Sequence, residues 1–134
     1  MPVKKSSQII GSDADSLTEA LESIAAEELQ LVIEYDNSTH NTLYLSDRLV
    51  DDSDNTDPTH EQVEDIFEYY YIDFLERDLL EDMIWLGDVN IFATFFDAGV
   101  IFRAQKDSAA IFIVMDHPLS IDDIQITIQN AFYE

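Results

Sequence analysis

The sequence predicts an α+β fold, a five-stranded antiparallel sheet flanked by helices in the order α-β-β-α-β-β-β-α. Three observations carry this reading. Apolar residues switch between helical spacing and short strand-like runs several times along the chain. The strand-like runs are joined by short polar turns, which favours antiparallel neighbours. At 134 residues with 46% hydrophobic content, the chain fits one domain with a single core.

Taken in order, residues 1–11 read as a flexible lead-in and residues 12–134 as the domain. The first helix is expected near Ser16, where Ser16 and Glu19 have capping-box spacing. Leu17, Ala20, Leu21, Ile24 and Ala25 form its apolar stripe, opposed by Glu19, Glu22 and Glu27. Over Leu29–Tyr35 the period changes to two, so a strand begins there. Residues 36–41 have turn chemistry, and Thr42–Ser46 reads as the returning strand of a hairpin. Asp47–Pro58 is a long polar connection. Thr59 and Gln62 repeat the capping-box pattern and open a second helix, with Val63, Ile66, Phe67, Tyr70 and Phe74 as its buried stripe, carried on by Leu75 and Leu79. Gly87 ends that region. Residues 89–96, 100–104 and 109–115 are three strands of a meander, and Pro118 and Ser120 introduce a C-terminal helix with Ile121, Ile124, Ile128 and Phe132 inward.

The charge is extreme: 29 acidic residues stand against 6 basic ones, for a formal net charge of −23. In dilute buffer such a surface repels itself. At about 1 M salt the Debye length falls to roughly 3 Å, and most of that repulsion is screened. Acids interleaved with Ile, Leu, Phe and Tyr rather than blocked together describe a folded domain suited to a salt-rich cytoplasm, not an acidic tail. Binding to nucleic-acid phosphates is disfavoured, because the few arginines (Arg48, Arg77 and Arg103) are scattered among carboxylates. No apolar run approaches the roughly 18 residues of a spanning helix, and no secretory signal follows Met1, so the expected location is cytoplasmic with no membrane contact. The absence of cysteine removes disulfides, thiol catalysis and thiolate metal sites.

Motifs for chemistry are tested and fail. A calcium loop counted from Asp52 needs Gly at the sixth position and Glu at the twelfth, where Asp57 and Val63 stand. His60-Glu61 begins like a zinc motif, but Glu64 occupies the place of the second histidine. His40 lies in a turn and His117 precedes Pro118, with no triad partner nearby in sequence. Three glycines (Gly11, Gly87 and Gly99) cannot build a phosphate loop or dinucleotide fingerprint. No catalytic, cofactor or metal residues are therefore expected, and the chain is read as a non-enzyme. Tyr69-Tyr70-Tyr71 is the exception in interest. Three consecutive helical residues span about 200°, so with Tyr70 buried, Tyr69 or Tyr71 faces elsewhere. Residues 91–96 are apolar on both faces, as in a central strand covered by helices on both sides or an edge strand paired across a dimer. Tyr69, Tyr71 and Phe92 are the expected interface.

The element order resembles the roadblock (dynein light chain LC7-like) fold and its profilin-like relatives. Glu34-Tyr35-Asp36, Leu43-Tyr44-Leu45-Ser46-Asp47 and Leu86-Gly87-Asp88 also look like an uncharacterised family of small acidic haloarchaeal proteins. That second resemblance implies an origin and a fold and carries over no site. The roadblock resemblance implies a non-catalytic, homodimeric platform with a protein partner, a small GTPase being the class such domains bind. Two alternatives stand beside it: a small-ligand sensor with a pocket near Trp85 and Tyr44, and an acidic nucleic-acid mimic.

Overall fold

The structure is a computed structural model that describes residues 2–48, 70–117 and 120–133. Its elements are β1 (Val3–Lys4), α1 (Ser12–Ala25), β2 (Leu29–Asp36), β3 (His40–Leu45), α2 (described over Tyr70–Met83), β4 (Ile91–Phe96), β5 (Gly99–Lys106), β6 (Ala109–Met115) and α3 (Ile121–Phe132). The capping pair Thr59 and Gln62 lies outside the described residues.

All the described strands join one antiparallel sheet in the order β1-β3-β2-β6-β5-β4. The expected hairpin (β2–β3) and meander (β4–β5–β6) are both present, and β2 beside β6 unites them. One expectation needs correction: among the described residues the sheet has six strands, not five, and the described elements run β-α-β-β-α-β-β-β-α. The extra strand is only two residues long, too short to display alternation, and its pairing with β3 makes it a strand. Of the two positions left open for residues 91–96, centre or edge, the segment takes the edge: it is outermost in the sheet and, among the described residues, bonded to β5 alone.

The helices sit where their stripes dictate. α1 begins at Ser12, ahead of the expected Ser16, because Gly11 turns the chain with φ of 106° and no side chain caps the helix. A positive φ of that size is readily available only to glycine. Ser120 caps α3 as expected, its Oγ accepting the Asp123 N–H at 3.2 Å. α1 and α3 pack together on one face of the sheet, closing a core that includes Leu17, Leu21, Phe102, Ile113, Ile128 and Phe132. The opposite face carries Leu31, Ile33, Leu45 and Tyr35. α2 meets that face through Phe74, whose ring stands edge-on to Tyr35 with centroids 6.3 Å apart.

Polar pins fix the assembly at its margins. Lys106 Nζ on β5 donates to Asp13 Oδ2 at 2.7 Å and to the Phe132 carbonyl at 2.9 Å, so one ammonium serves the start of α1 and the end of α3. Tyr133 places its hydroxyl 2.6 Å from the carbonyl oxygens of both Asn90 and Gln105. Burial pushes the phenol up to about 12. Glu34, in the fully buried middle of β2, is held by residues 7–10 and Asn41.

Candidate interaction surface

The outer edge of β4 begins with its backbone. Ile91 to Phe96 pair in unbroken register with Ala104 to Gly99 of β5, and the other side of the strand has no partner strand among the described residues. An open row of N–H and C=O groups is a template for another strand. Natural edges are blunted by charges, prolines or bulges, and Ile91-Phe92-Ala93-Thr94-Phe95-Phe96 has none of these.

Its side chains are as open as its backbone. Phe92, Thr94 and Phe96 point to the α2 side of the sheet, and Ile91, Ala93 and Phe95 to the α1–α3 side. Phe95 is 60% exposed and Phe96 54% exposed. Phe92 is half-buried, with the Arg103 guanidinium 4.6 Å from its ring centroid, a cation–π contact that covers one face of the ring.

α2 extends the surface. Phe74, Arg77, Leu80 and Glu81 turn toward the protein, whereas Leu75, Leu79 and Met83 recur at four-residue spacing on the outer side. Arg77 Nη1 donates to the Asp107 carbonyl at 3.3 Å, and Glu81 Oε1 accepts the Val89 N–H at 2.9 Å. The inward face is thus seated partly by polar contacts, and an apolar stripe is left outward. Past the helix, Trp85 (91% exposed) and Leu86 (82% exposed) stand in solvent before Gly87 turns the chain toward β4 with φ of 94°. Isolated exposed leucines need no explanation, but stripe, tip and edge strand follow one another within residues 75–96.

Of the three expected interface residues, Phe92 lies on β4 and Tyr71 on α2, the two elements that carry this surface. Tyr69 lies outside the described residues. Sequence reasoning missed Phe95, Phe96, Leu75, Leu79 and Met83. The stripe was legible as a four-residue repeat, but Leu75 and Leu79 read as a continuation of the buried side.

Other candidate sites resolve differently. Trp85 and Tyr44 do not come together as pocket walls: Trp85 is in solvent and Tyr44, 3% exposed, belongs to the core under α1 and α3. A groove of about 320 Å³ runs instead between α1 and α3, lined by Ile24, Glu28, Ser120, Asp123, Ile124 and Thr127. His117 Nε2 lies 3.1 Å from the Asp97 carbonyl, joining the ends of β4 and β6. Among the described residues no group of three His, Asp or Glu side chains gathers as a metal site, and no helix is long and apolar enough to cross a membrane. The Asp51–Asp57 run and His60 lie outside the described residues.

Comparison with solved structures identifies the fold. The gliding protein MglB of Thermus thermophilus superposes with a TM-score of 0.57 at 12% identity, over 96% of this chain and 92% of that one. MglB in a tetrameric arrangement gives a TM-score of 0.56, again at 12% identity, over 96% and 91%. At that identity the likeness is one of architecture, a mixed α+β roadblock-like fold with one antiparallel sheet. No curated protein matches the sequence. Residues 15–131, nearly the whole chain, match a family described as a domain of unknown function, and the protein therefore belongs to the DUF7522 family.

Proposed function

We propose that this domain is a non-catalytic interaction platform that works as a homodimer joined through β4 and α2 in a salt-rich cytoplasm, where it binds a regulatory protein partner. The observation that carries the reading is the β4 edge, bare among the described residues, with exposed rings on both its faces. Two such edges related by a two-fold axis make an isologous contact, with one sheet running through both copies. The segment has no charged residue in a chain of net charge −23, so pairing it with itself opposes no carboxylates across the strands.

Magnitudes support including α2 in the interface. A phenylalanine presents roughly 200 Å² of surface, so Phe95 and Phe96 at 60% and 54% exposure leave on the order of 200 Å² per chain. At about 25 cal/mol/Å² that is about 5 kcal/mol per chain in gross transfer free energy. Association costs roughly 4–15 kcal/mol in lost freedom and ordering. The rings alone are marginal. Leu75, Leu79 and Met83, together with edge hydrogen bonds, supply the remainder.

The roadblock-like architecture supports a partner of the small GTPase class, which such domains bind, and the tetrameric arrangement of MglB is an example of self-association on this fold. The acid-rich composition supports the high-salt setting, in which the Debye length at about 1 M is roughly 3 Å. Light scattering in multimolar KCl tests the dimer directly. The expected mass is twice 15.4 kDa, reduced to the monomer by joint Phe95→Ser and Phe96→Ser substitution. A parent chain that is monomeric under those conditions overturns the proposal.

A further inference from the structure

The two edges of the sheet differ sharply. Among the described residues β4 is bare, whereas β3 is covered from Leu45 to Asn41 by the N-terminal residues. Val3 and Lys4 pair antiparallel with Leu45 and Tyr44, and the Lys5 N–H donates to the Leu43 carbonyl at 3.0 Å. Asn41 Nδ2 then donates to the Ser6 carbonyl at 3.1 Å. Beyond Ser6 the chain leaves the edge and reaches Glu34 on β2. That carboxylate accepts the Ser7 hydroxyl at 2.5 Å and the N–H groups of Gln8, Ile9 and Ile10 at 2.7, 3.2 and 3.0 Å. Asn41 Nδ2 completes the set at 2.9 Å, so the residue that lines the edge also touches the anchor.

The segment's ladder is two residues long, and the Lys4–Glu22 ion pair at 2.6 Å is partly exposed. The Ser7 N–H donates to Asp15 Oδ1 at 2.8 Å, and Val3 and Ile10 pack only as half-buried side chains. Glu34, at 0% exposure, is the one fully buried polar side chain to which the segment is tied. Its five donors come from Ser7, Gln8, Ile9 and Ile10 of the segment and from Asn41 of β3.

We propose that residues 3–10 are a strap masking the β3 edge, that Glu34 is its latch, and that the freed edge takes the β3 edge of a second copy in antiparallel register. The occupant follows from charge and from geometry. His40-Asn41-Thr42-Leu43-Tyr44-Leu45 contains no Asp or Glu, although 29 of 134 residues are acidic, so β3 meets another β3 without opposing carboxylates. The strap itself demonstrates that this edge accepts an antiparallel strand. This surface is separate from β4, and the proposal stands whether or not β4 forms a dimer.

The test uses the Phe95→Ser, Phe96→Ser chain as background, so that β4 pairing is removed before the strap is touched. Two alterations are made in it, deletion of residues 2–6 and Glu34→Gln, with mass read by light scattering and strap opening by amide hydrogen exchange in multimolar KCl. The deletion is expected to double the mass of its own background, and a free peptide of residues 2–11 to reverse the doubling. Glu34→Gln in the full chain is expected to speed exchange at Gln8, Ile9 and Ile10 by at least roughly tenfold and to raise the mass. A folded, strap-less chain with unchanged mass overturns the proposal, as does a doubling that the peptide does not reverse. If the deletion abolishes folding, Glu34→Gln decides: faster exchange with unchanged mass, or unchanged exchange, overturns it. Failure of the β4 reading shows separately, as equal masses for the parent and the background chain.

Discussion

Replacing Glu34 by Ala removes five hydrogen bonds at one buried point, and the effect can be worked from the structure. A hydrogen bond to a charged group contributes about 1.5–3 kcal/mol, but these five are not independent. Once the carboxylate is gone, the strap can lift and its N–H groups regain water. The loss is then limited to the strap's attachment, about 3–4 kcal/mol, near the upper range for single substitutions. For a domain of this size about 1 kcal/mol corresponds to roughly 3–4 °C, so thermal unfolding by circular dichroism in multimolar KCl is expected to fall by about 10 °C. The acid limb gives a second readout. Burial alone would raise the Glu34 carboxyl, but hydrogen bonds from Ser7, Gln8, Asn41 and Ile10 outweigh it and hold the group below its ordinary value. A depressed folded value means that the contribution is fully present above the unfolded value of about 4.3 and is lost as pH falls through the folded one. The parent therefore loses its advantage over the Glu34→Ala chain on acidification below about pH 4.3. A variant within about 1 kcal/mol of the parent, or a stability difference constant through the acid range, refutes the account of Glu34 as a charged anchor.

Three further outcomes are expected. Phe95→Ser with Phe96→Ser leaves monomer stability nearly unchanged because both rings are exposed, by 60% and 54%; denaturation run well below the dimer's dissociation constant checks this, and a large drop would place the rings in the monomer's core. Tyr133→Phe removes the donor shared by the Asn90 and Gln105 carbonyls and costs about 1 kcal/mol. Because the folded phenol is raised to about 12, its contribution holds below about pH 10 and fades as pH climbs to that folded value, so the parent's alkaline destabilisation is reduced in the variant. Gly99→Ala drives a new Cβ into the Met115 carbonyl oxygen, a backbone atom that cannot rotate away; the expected loss is about 1–3 kcal/mol, and an unchanged melting temperature would mean that the β5–β6 ladder yields freely.

Local pattern sufficed for much of the fold. The change of period over Leu29–Tyr35 and the short apolar run Ala109–Met115 mark strands β2 and β6, and the polar turns between β4, β5 and β6 mark the meander, because side-chain pattern and turn chemistry are properties of neighbouring residues. Ser120 announces α3 for the same reason. The charge balance, too, is legible without coordinates. Other features depend on residues far apart in the chain. Residues 91–96 are apolar on both faces whether central or at an edge, and only the pairing of β2 with β6 leaves β4 outermost. The outward stripe of α2 reads as a continuation of the inward one until Phe74 docks on Tyr35 and sets the helix's rotation. Glu34 offered a signal, a carboxylate inside the apolar run Leu31-Val32-Ile33-Glu34-Tyr35, but its meaning lies in donors about 25 residues away in sequence. Short-range spacing is thus enough to say which segments are helices and which are strands. Which edge is bare, which is strapped and what the buried acid holds follow only from contacts between distant segments, and no local pattern encodes those.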